Sequence, residues 1–475
     1  MSKFPDIARS WPVPLASAMA IAILVVLTRL PFLGHGYGVD PDAWRAMLSA
    51  QFLLDTGRYI PSRPPGYPVP EYAAALMLWV GLGSSWWIGL LSSLMAAFSA
   101  FWLAVLASGL GRDRFVPLAL AFAFTPVVFI ASLSAMDYLW GAAFFLCATW
   151  FALQGRVWGA ALWLGLAASS RPTYALGFLP LAHILLNLQV GRLRTAWGWR
   201  RILTLAAVSG GLTLLLFVPV LREIGMRVLG MPVAGSIGLI QRLFNPTVGV
   251  FGLIGAPTVA LAAWWAIRAP VQVGMGVADE RQRALSAWAW WLVVLYSFLF
   301  LRLPDEPAYL LPAVIGGYML LAMRTSASVL WVVALAMAVS ASVGTLARLP
   351  NGDLTLRLAG PLPREQALQD RRNCIASVLR THLARRPATE YVVTAEYRPQ
   401  LLWALRERHA PQLLYTVYRS KDDGVLRDSE GVTFANATTL WVLDRVTATQ
   451  DEHWQAPAGM LRTLDTRSAC PDSAF

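Results

Sequence analysis

The sequence predicts a mainly α, polytopic membrane bundle of about 11 spans, with interfacial helices in a first outer loop and a small α/β domain after the last span. Three observations predict it. The 475 residues are 57% hydrophobic and only 14% charged, a balance that excludes an ordinary soluble domain. The stretch from Trp11 to Thr345 divides into apolar segments near bilayer length, separated by short polar joints. Lipid offers no partner to free backbone groups, so helices must carry that stretch. The remainder, 348–475, is polar and has mixed periodicity.

Taken in order, the expected spans are 12–33, 85–109, 115–133, 137–153, 157–170, 172–189, 202–221, 249–267, 285–303, 307–323 and 326–347. The first is too long for a signal peptide and no small-residue cleavage site follows it, so it reads as a retained anchor. With the N-terminus inside, the cytoplasmic joints collect Lys3, Arg9, Arg112, Arg114, Arg156, Arg192, Arg194, Arg200, Arg201, Arg268, Arg281, Arg283 and Arg324, as the positive-inside rule requires. The N-terminus is therefore expected in the cytoplasm and residues 348–475 outside it. The net charge of +12 is explained by topology rather than by nucleic-acid binding. Acids contribute little to topology, yet Asp40, Asp42, Asp55, Glu71, Asp137, Glu223, Asp305 and Glu306 gather at the outer joints. A functional site on that face would account for the bias.

The polar tail reads as helix over 364–383 and 398–408, and as strand over 391–394, 412–418 and 439–443. It carries no phosphate loop or metal-ligand spacing, so its expected role is structural or acceptor-facing. Cys374 and Cys470 both lie in it and could pair across a long loop if the tail is outside the cytoplasm, whereas Cys147 sits in an apolar run. Asn436-Ala437-Thr438 matches a glycosylation sequon, a triplet common by chance.

The first outer loop, 34–84, holds the most chemistry. Asp40-Pro41-Asp42 reads as a helix start: an N-cap aspartate, proline at the first helical position, then an acid in the first turn. Gly57 reads as its stop. Trp44, Met47 and Leu48 recur at helical spacing and are expected to face lipid, with the acids lifted into water. Asp40 then reads as a cap, and Asp42 as a free carboxylate whose charge the helix dipole favours. The run Pro61-Ser62-Arg63-Pro64-Pro65-Gly66-Tyr67-Pro68 excludes helix and central strand, leaving a rigid loop. His35 and His183 are read without partners.

An acid in the first outer loop, an interfacial helix and a P-P-G-Y-P element together resemble the C-type (GT-C) glycosyltransferase superfamily, which includes protein O-mannosyltransferases and lipid A aminoarabinose transferases. Ser132-Leu-Ser-Ala-Met-Asp137 is similar to that superfamily's second outer-loop acid. Ser170-Arg171-Pro172 resembles its basic residue before the sixth span, and Tyr309-Leu-Leu-Pro312 its late Y-L-L-P element. The resemblance covers residues 12–325, so 1–347 is expected to be the catalytic membrane domain. One departure is that Asp42 is followed by alanine where the superfamily often has a second acid, which leaves the choice between Asp40 and Asp42 open. Spacing to Gly57-Arg58-Tyr59 favours Asp42.

The resemblance implies an inverting transfer from a polyprenyl-phosphate sugar to a glycolipid, polysaccharide or protein acceptor, next to the lipid bilayer on the outer face of a bacterial inner (cytoplasmic) membrane, with residues 348–475 periplasmic. Asp42, or else Asp40, would be the base. Arg171 and Arg63, with Arg58 and Arg302 behind them, would grip the phosphate. Asp137 would orient the acceptor or hold a divalent ion, a lone acid capping the fourth span being the equal alternative, and Tyr67 and Tyr309 would touch sugar or lipid. No tightly bound cofactor is expected, and loosely bound Mg²⁺ or Mn²⁺ stays open. Two alternatives of other classes are a transporter or flippase for lipid-linked substrates and a non-catalytic membrane scaffold. The acids lie at span ends rather than in broken helices, and no inverted repeat is visible, both of which favour the enzyme over a transporter.

Overall fold

The structure, a computed structural model, describes residues 15–187, 196–225, 239–268, 277–304, 306–348, 354–384, 390–394, 398–405, 413–414, 418–419, 426–427, 439–443, 461–464 and 469–470. The chain is a polytopic helical membrane protein. It opens with α1 (Leu15–Arg29), followed by α2 (Pro41–Thr56) and α3 (Pro68–Trp79), the two helices of the first loop. The bundle continues through α4 (Ser85–Ala107), α5 (Arg112–Phe124), α6 (Pro126–Ala131), α7 (Tyr138–Leu153), α8 (Val157–Ser170) and α9 (Phe178–Asn187). After these come α10 (Ala196–Ile224), α11 (Leu239–Phe244), α12 (Val250–Arg268), α13 (Val277–Arg302), α14 (Leu311–Arg324) and α15 (Ala327–Ser342). Among the described residues, six helices are long and apolar enough to cross a membrane, and four shorter apolar helices pack with them.

The helix ends follow local chemistry. The expected third span, 115–133, is two helices, because Thr125 is extended (ψ 128°) before Pro126, as a residue preceding proline prefers. The expected sixth span begins as a 3-10 turn at Pro172–Gly177 and only then becomes α9. The last span stops at Ser342 rather than 347. Residues Val343–Arg348 instead form β1, paired antiparallel with β2 (Leu354–Ala359). α7 is buried along almost its whole length, which makes it the axis of the bundle.

α1 carries a buried charge inside the first expected span. Arg29 is fully buried, donates to Ser132 Oγ at 3.3 Å and to the Ala123 carbonyl, and lies over the rings of Phe124 and Phe129 at 5.0 and 4.0 Å. It ties α1 to the break between α5 and α6, using a backbone carbonyl that the interrupted helix leaves open.

The tail supplies α16 (Pro361–Leu383), α17 (Arg398–Leu405) and a four-stranded parallel sheet in the order β4-β3-β7-β8, built from Leu413–Leu414, Glu390–Val393, Thr439–Leu443 and Leu461–Leu464. A short antiparallel pair, β5 (Tyr418–Arg419) and β6 (Leu426–Arg427), lies between β4 and β7 in sequence. Ile375, Leu379 and Leu383 of α16 pack with Val392, Leu401, Leu405 and Leu413 in a hydrophobic cluster separate from that of the bundle. Cys374 and Cys470 are joined by a disulfide. The sequon at Asn436 falls outside the described residues.

Two expectations about side chains need correction. Trp44 and Met47 do not face lipid; they are buried. The cover comes from the tail: the Trp403 ring of α17 meets Tyr37 at 5.4 Å, and Tyr37 meets Trp44 at 4.8 Å. His35 is not unpartnered either, since its Nδ1 lies 3.1 Å from Asp370 Oδ1 on α16. His183 packs edge-on to Trp291.

Candidate active site

α2 starts as the sequence reads. Asp40 is the N-cap, its Oδ1 accepting the Asp42 N–H at 2.8 Å, with Pro41 next and Gly57 (φ 69°) closing the helix. The cap occupies Asp40, and Asp42 is the acid of the pair that meets arginine side chains. Arg45, one turn on, donates to Asp42 Oδ1 at 2.8 Å. From the proline-rich loop, Arg63 Nη1 reaches Asp42 Oδ2 at 3.2 Å while its Nη2 reaches Asp137 Oδ1 at 2.6 Å. One guanidinium therefore bridges the acids of two loops.

Asp137 precedes α7 and is almost completely buried, as is Arg171, which precedes the 3-10 turn. Arg171 Nη1 lies 2.5 Å from Asp137 Oδ2. The Arg171 guanidinium sits over the rings of Tyr138 (4.1 Å), Tyr309 (4.6 Å) and Tyr67 (5.9 Å), and that of Arg63 lies 4.3 Å from Tyr67. A cation held by one carboxylate and flanked by three phenol rings is desolvated without being unpaired.

Two acids the sequence reading did not place here belong to the site. Glu71, at the start of α3, is buried and accepts from Ser62 N–H at 3.2 Å, from Ser62 Oγ and from Tyr59 Oη. It fixes the backbone of the residue next to Arg63. Burial pushes its carboxyl up to about 7, against those hydrogen bonds. Glu306 caps the 3-10 turn that carries Tyr309, and burial together with the charge of Asp40 pushes its carboxyl up to about 7. Burial, with the charge of Asp42, also raises the Asp40 carboxyl. Both were legible only as members of the outer-joint acids, and Glu306 also through its place three residues before Tyr309.

Asp40, Asp42, Arg63, Tyr67, Asp137, Arg171 and Tyr309 thus come together, and two expected residues do not. Arg58 is exposed and pairs with Glu223 at 2.5 Å, because Gly57 ends α2 pointing it away. Arg302 is exposed at the end of α13 and makes none of the site's ion pairs. Beside the network, Arg63, Tyr67, Glu71, Asp137 and Trp140 line a cleft of about 30 Å³, which admits water but no sugar. Asp42 adjoins this cleft through Arg63 and does not form its wall. Among the described residues no group of three or more His, Cys, Asp or Glu side chains could hold a metal ion.

No protein-family model matches the chain, and no curated protein matches it. Among solved structures, the crystal structure of ArnT from Cupriavidus metallidurans bound to undecaprenyl phosphate is similar, at 16% identity and a TM-score of 0.46. That match covers 82% of this chain and 69% of the other. At that level of similarity, the site's chemistry stands on its own residues.

Proposed function

We propose that the protein is a membrane glycosyltransferase that moves a sugar from a polyprenyl phosphate to a hydroxyl or amine of a glycolipid, polysaccharide or protein acceptor, with inversion, on the periplasmic face of the inner membrane. The observation that carries this reading is the shared cation: Arg63 joins Asp42 to Asp137, and Arg171 backs it within a cage of tyrosines. Two carboxylates and two guanidinium groups, brought together by the first loop and the ends of apolar helices, suit a reaction that must accept a proton at one end and stabilise a departing phosphate at the other.

In this scheme the donor phosphate competes with Asp42 for Arg63. As the guanidinium turns to the phosphate it forms two parallel hydrogen bonds, releases Asp42 and widens the cleft for the sugar. Asp42 then takes the acceptor's proton, the acceptor oxygen or nitrogen bonds to the anomeric carbon, and the bond from that carbon to the phosphate oxygen breaks. Polyprenyl phosphate leaves with its new charge held by Arg171 and Arg63. Guanidinium groups here do what a divalent cation does in other phosphate-transfer sites.

The test is Asp42→Asn in a deletion strain. The expected outcome is normal membrane abundance, loss of the glycosylated product and a build-up of polyprenyl-phosphate sugar, read by mass spectrometry of extracted lipids. Full complementation by the variant removes Asp42 as the base.

A further inference from the structure

The peptide groups that set the position of Asp40 and Asp42 are held from the other end of the chain. The Val39 N–H donates to Glu365 Oε1 at 2.7 Å, and the Val39 carbonyl accepts from Arg372 Nη1. Val39 is the residue before the Asp40 cap, so α16 grips both sides of the residue that delivers the chain into α2. Glu365 and Arg372 are two helical turns apart on one face of α16. On the same stretch, Asn373 Nδ2 donates to the His35 carbonyl at 2.8 Å and Asp370 meets the His35 ring at 3.1 Å.

The grip is close and two-sided. A Cβ on Gly36 would fall 2.5 Å from Gln369 Oε1, and one on Gly38 (φ +137°) would fall 2.9 Å from Ser134 Cβ. On the side away from α16, the Tyr37 carbonyl accepts the Ala135 N–H at 2.7 Å, two residues before Asp137. Residues 35–39 therefore lie pressed between α16 and the segment that presents Asp137. Their backbone position sets the separation of Asp42 and Asp137, which Arg63 spans. Burial raises the Glu365 carboxyl, an effect opposed by the Val39 N–H and the charge of Arg372.

We propose that Glu365 and Arg372 are positioning residues, a clamp by which the C-terminal segment sets the first-loop carboxylate against its partner loop. Its link to turnover rests on the glycosyltransferase reading above; the geometry of the clamp does not. Glu365 and Arg372 are not members of the site's ion pairs among the described residues; each holds Val39 directly, and Glu365 also feels the charge of Asp40. A site that must hold a base within a fraction of an ångström of its working position depends on such support.

The test uses full-length, oxidised protein purified in detergent and compares Glu365→Ala, Glu365→Gln, Arg372→Ala and wild type by hydrogen exchange. Opening of a local segment shows as faster exchange there alone: amides 36–44 are expected to exchange about tenfold faster in both alanine variants, with no change over Ser85–Ala107. Glu365→Gln keeps an oxygen acceptor and is expected to return within about threefold of wild type. In complementation of the deletion strain, product formation is expected to follow the same order, while titrated undecaprenyl phosphate in mixed micelles binds all four proteins alike. If Glu365→Ala also loses protection over Ser85–Ala107, Arg372→Ala carries the test, since it leaves the Val39 N–H bond intact. Unchanged exchange at 36–44 in Arg372→Ala, or an equal rise in Glu365→Gln and Glu365→Ala, overturns the clamp. Full activity of Asp42→Asn would instead sink the transfer reading and leave the clamp standing.

Discussion

At the scale of single residues, Asp42 and Asp137 are both paired with arginine but differ in what their loss costs. The Asp137 side chain is 5% exposed and the Asp42 side chain 26%. Removing one partner of a buried pair strands a charge at a cost of about 3–5 kcal/mol, whereas a solvated pair contributes about 1 kcal/mol or less. Asp137→Asn is therefore expected to lower the thermal midpoint in detergent sharply, and Asp42→Asn barely, although both abolish transfer. Equal midpoints for the two variants would contradict this account of burial. Glu71 makes a pH prediction. Its carboxyl is raised to about 7 by burial from an ordinary 4.5, so the native state keeps a proton that the unfolded chain has lost. Its contribution to stability is then full below about pH 4.5 and falls as pH rises to about 7. In Glu71→Gln that part of the pH dependence should vanish from melts recorded across the window, at a fixed cost of about 1–3 kcal/mol for the acceptors lost to Tyr59 and Ser62.

At the scale of elements, the turns are what place the acids. Gly38 has φ +137° and no room for a side chain between Ser134 and Ala43. Gly38→Ala is expected to cost about 1–3 kcal/mol and to reduce product formation more than it reduces abundance, because strain there moves the start of α2. Measuring both in the same membranes separates the two effects. The start and stop of α2 were legible because capping is local chemistry: Asp40, Pro41 and Gly57 each act within a few residues. The tail elements α16, β3 and β7 were legible from periodicity for the same reason. Trp44 was misplaced at the lipid surface because Tyr37, which covers it, is backed by Trp403 of α17, an element far along the chain that no periodicity encodes. Arg58 and Arg302 were placed behind Arg63 and Arg171 but in the same role, since Arg58 shares the first loop with Arg63, and Arg302, like Arg171, lies at a span end. Only the direction in which the backbone leaves Gly57 or α13 distinguishes them.

At the scale of the whole molecule, the bundle was legible from hydropathy, and its site only as a set of acids on one side. What assembled them was packing: the break at Thr125, the 3-10 start after Arg171 and the early end of α15 all position loops that composition alone treats as plain joints. The Cys374–Cys470 disulfide fastens residue 470 to α16 one position from Asn373, which holds the His35 carbonyl. Reduction, or Cys374→Ser, is therefore expected to lower product formation severalfold while the membrane helices keep their protection, as local loosening does. Hydrogen exchange with and without reductant checks it.

The bonds that seat Val39 span 326 and 333 positions of sequence. Translation delivers the residues around Asp42 among the first and their restraint among the last. During synthesis the chain therefore passes through a long interval in which the membrane helices can insert while the acids remain loosely placed. Such a protein would acquire its working shape late, so termination between α15 and α16 should leave an inserted but idle product.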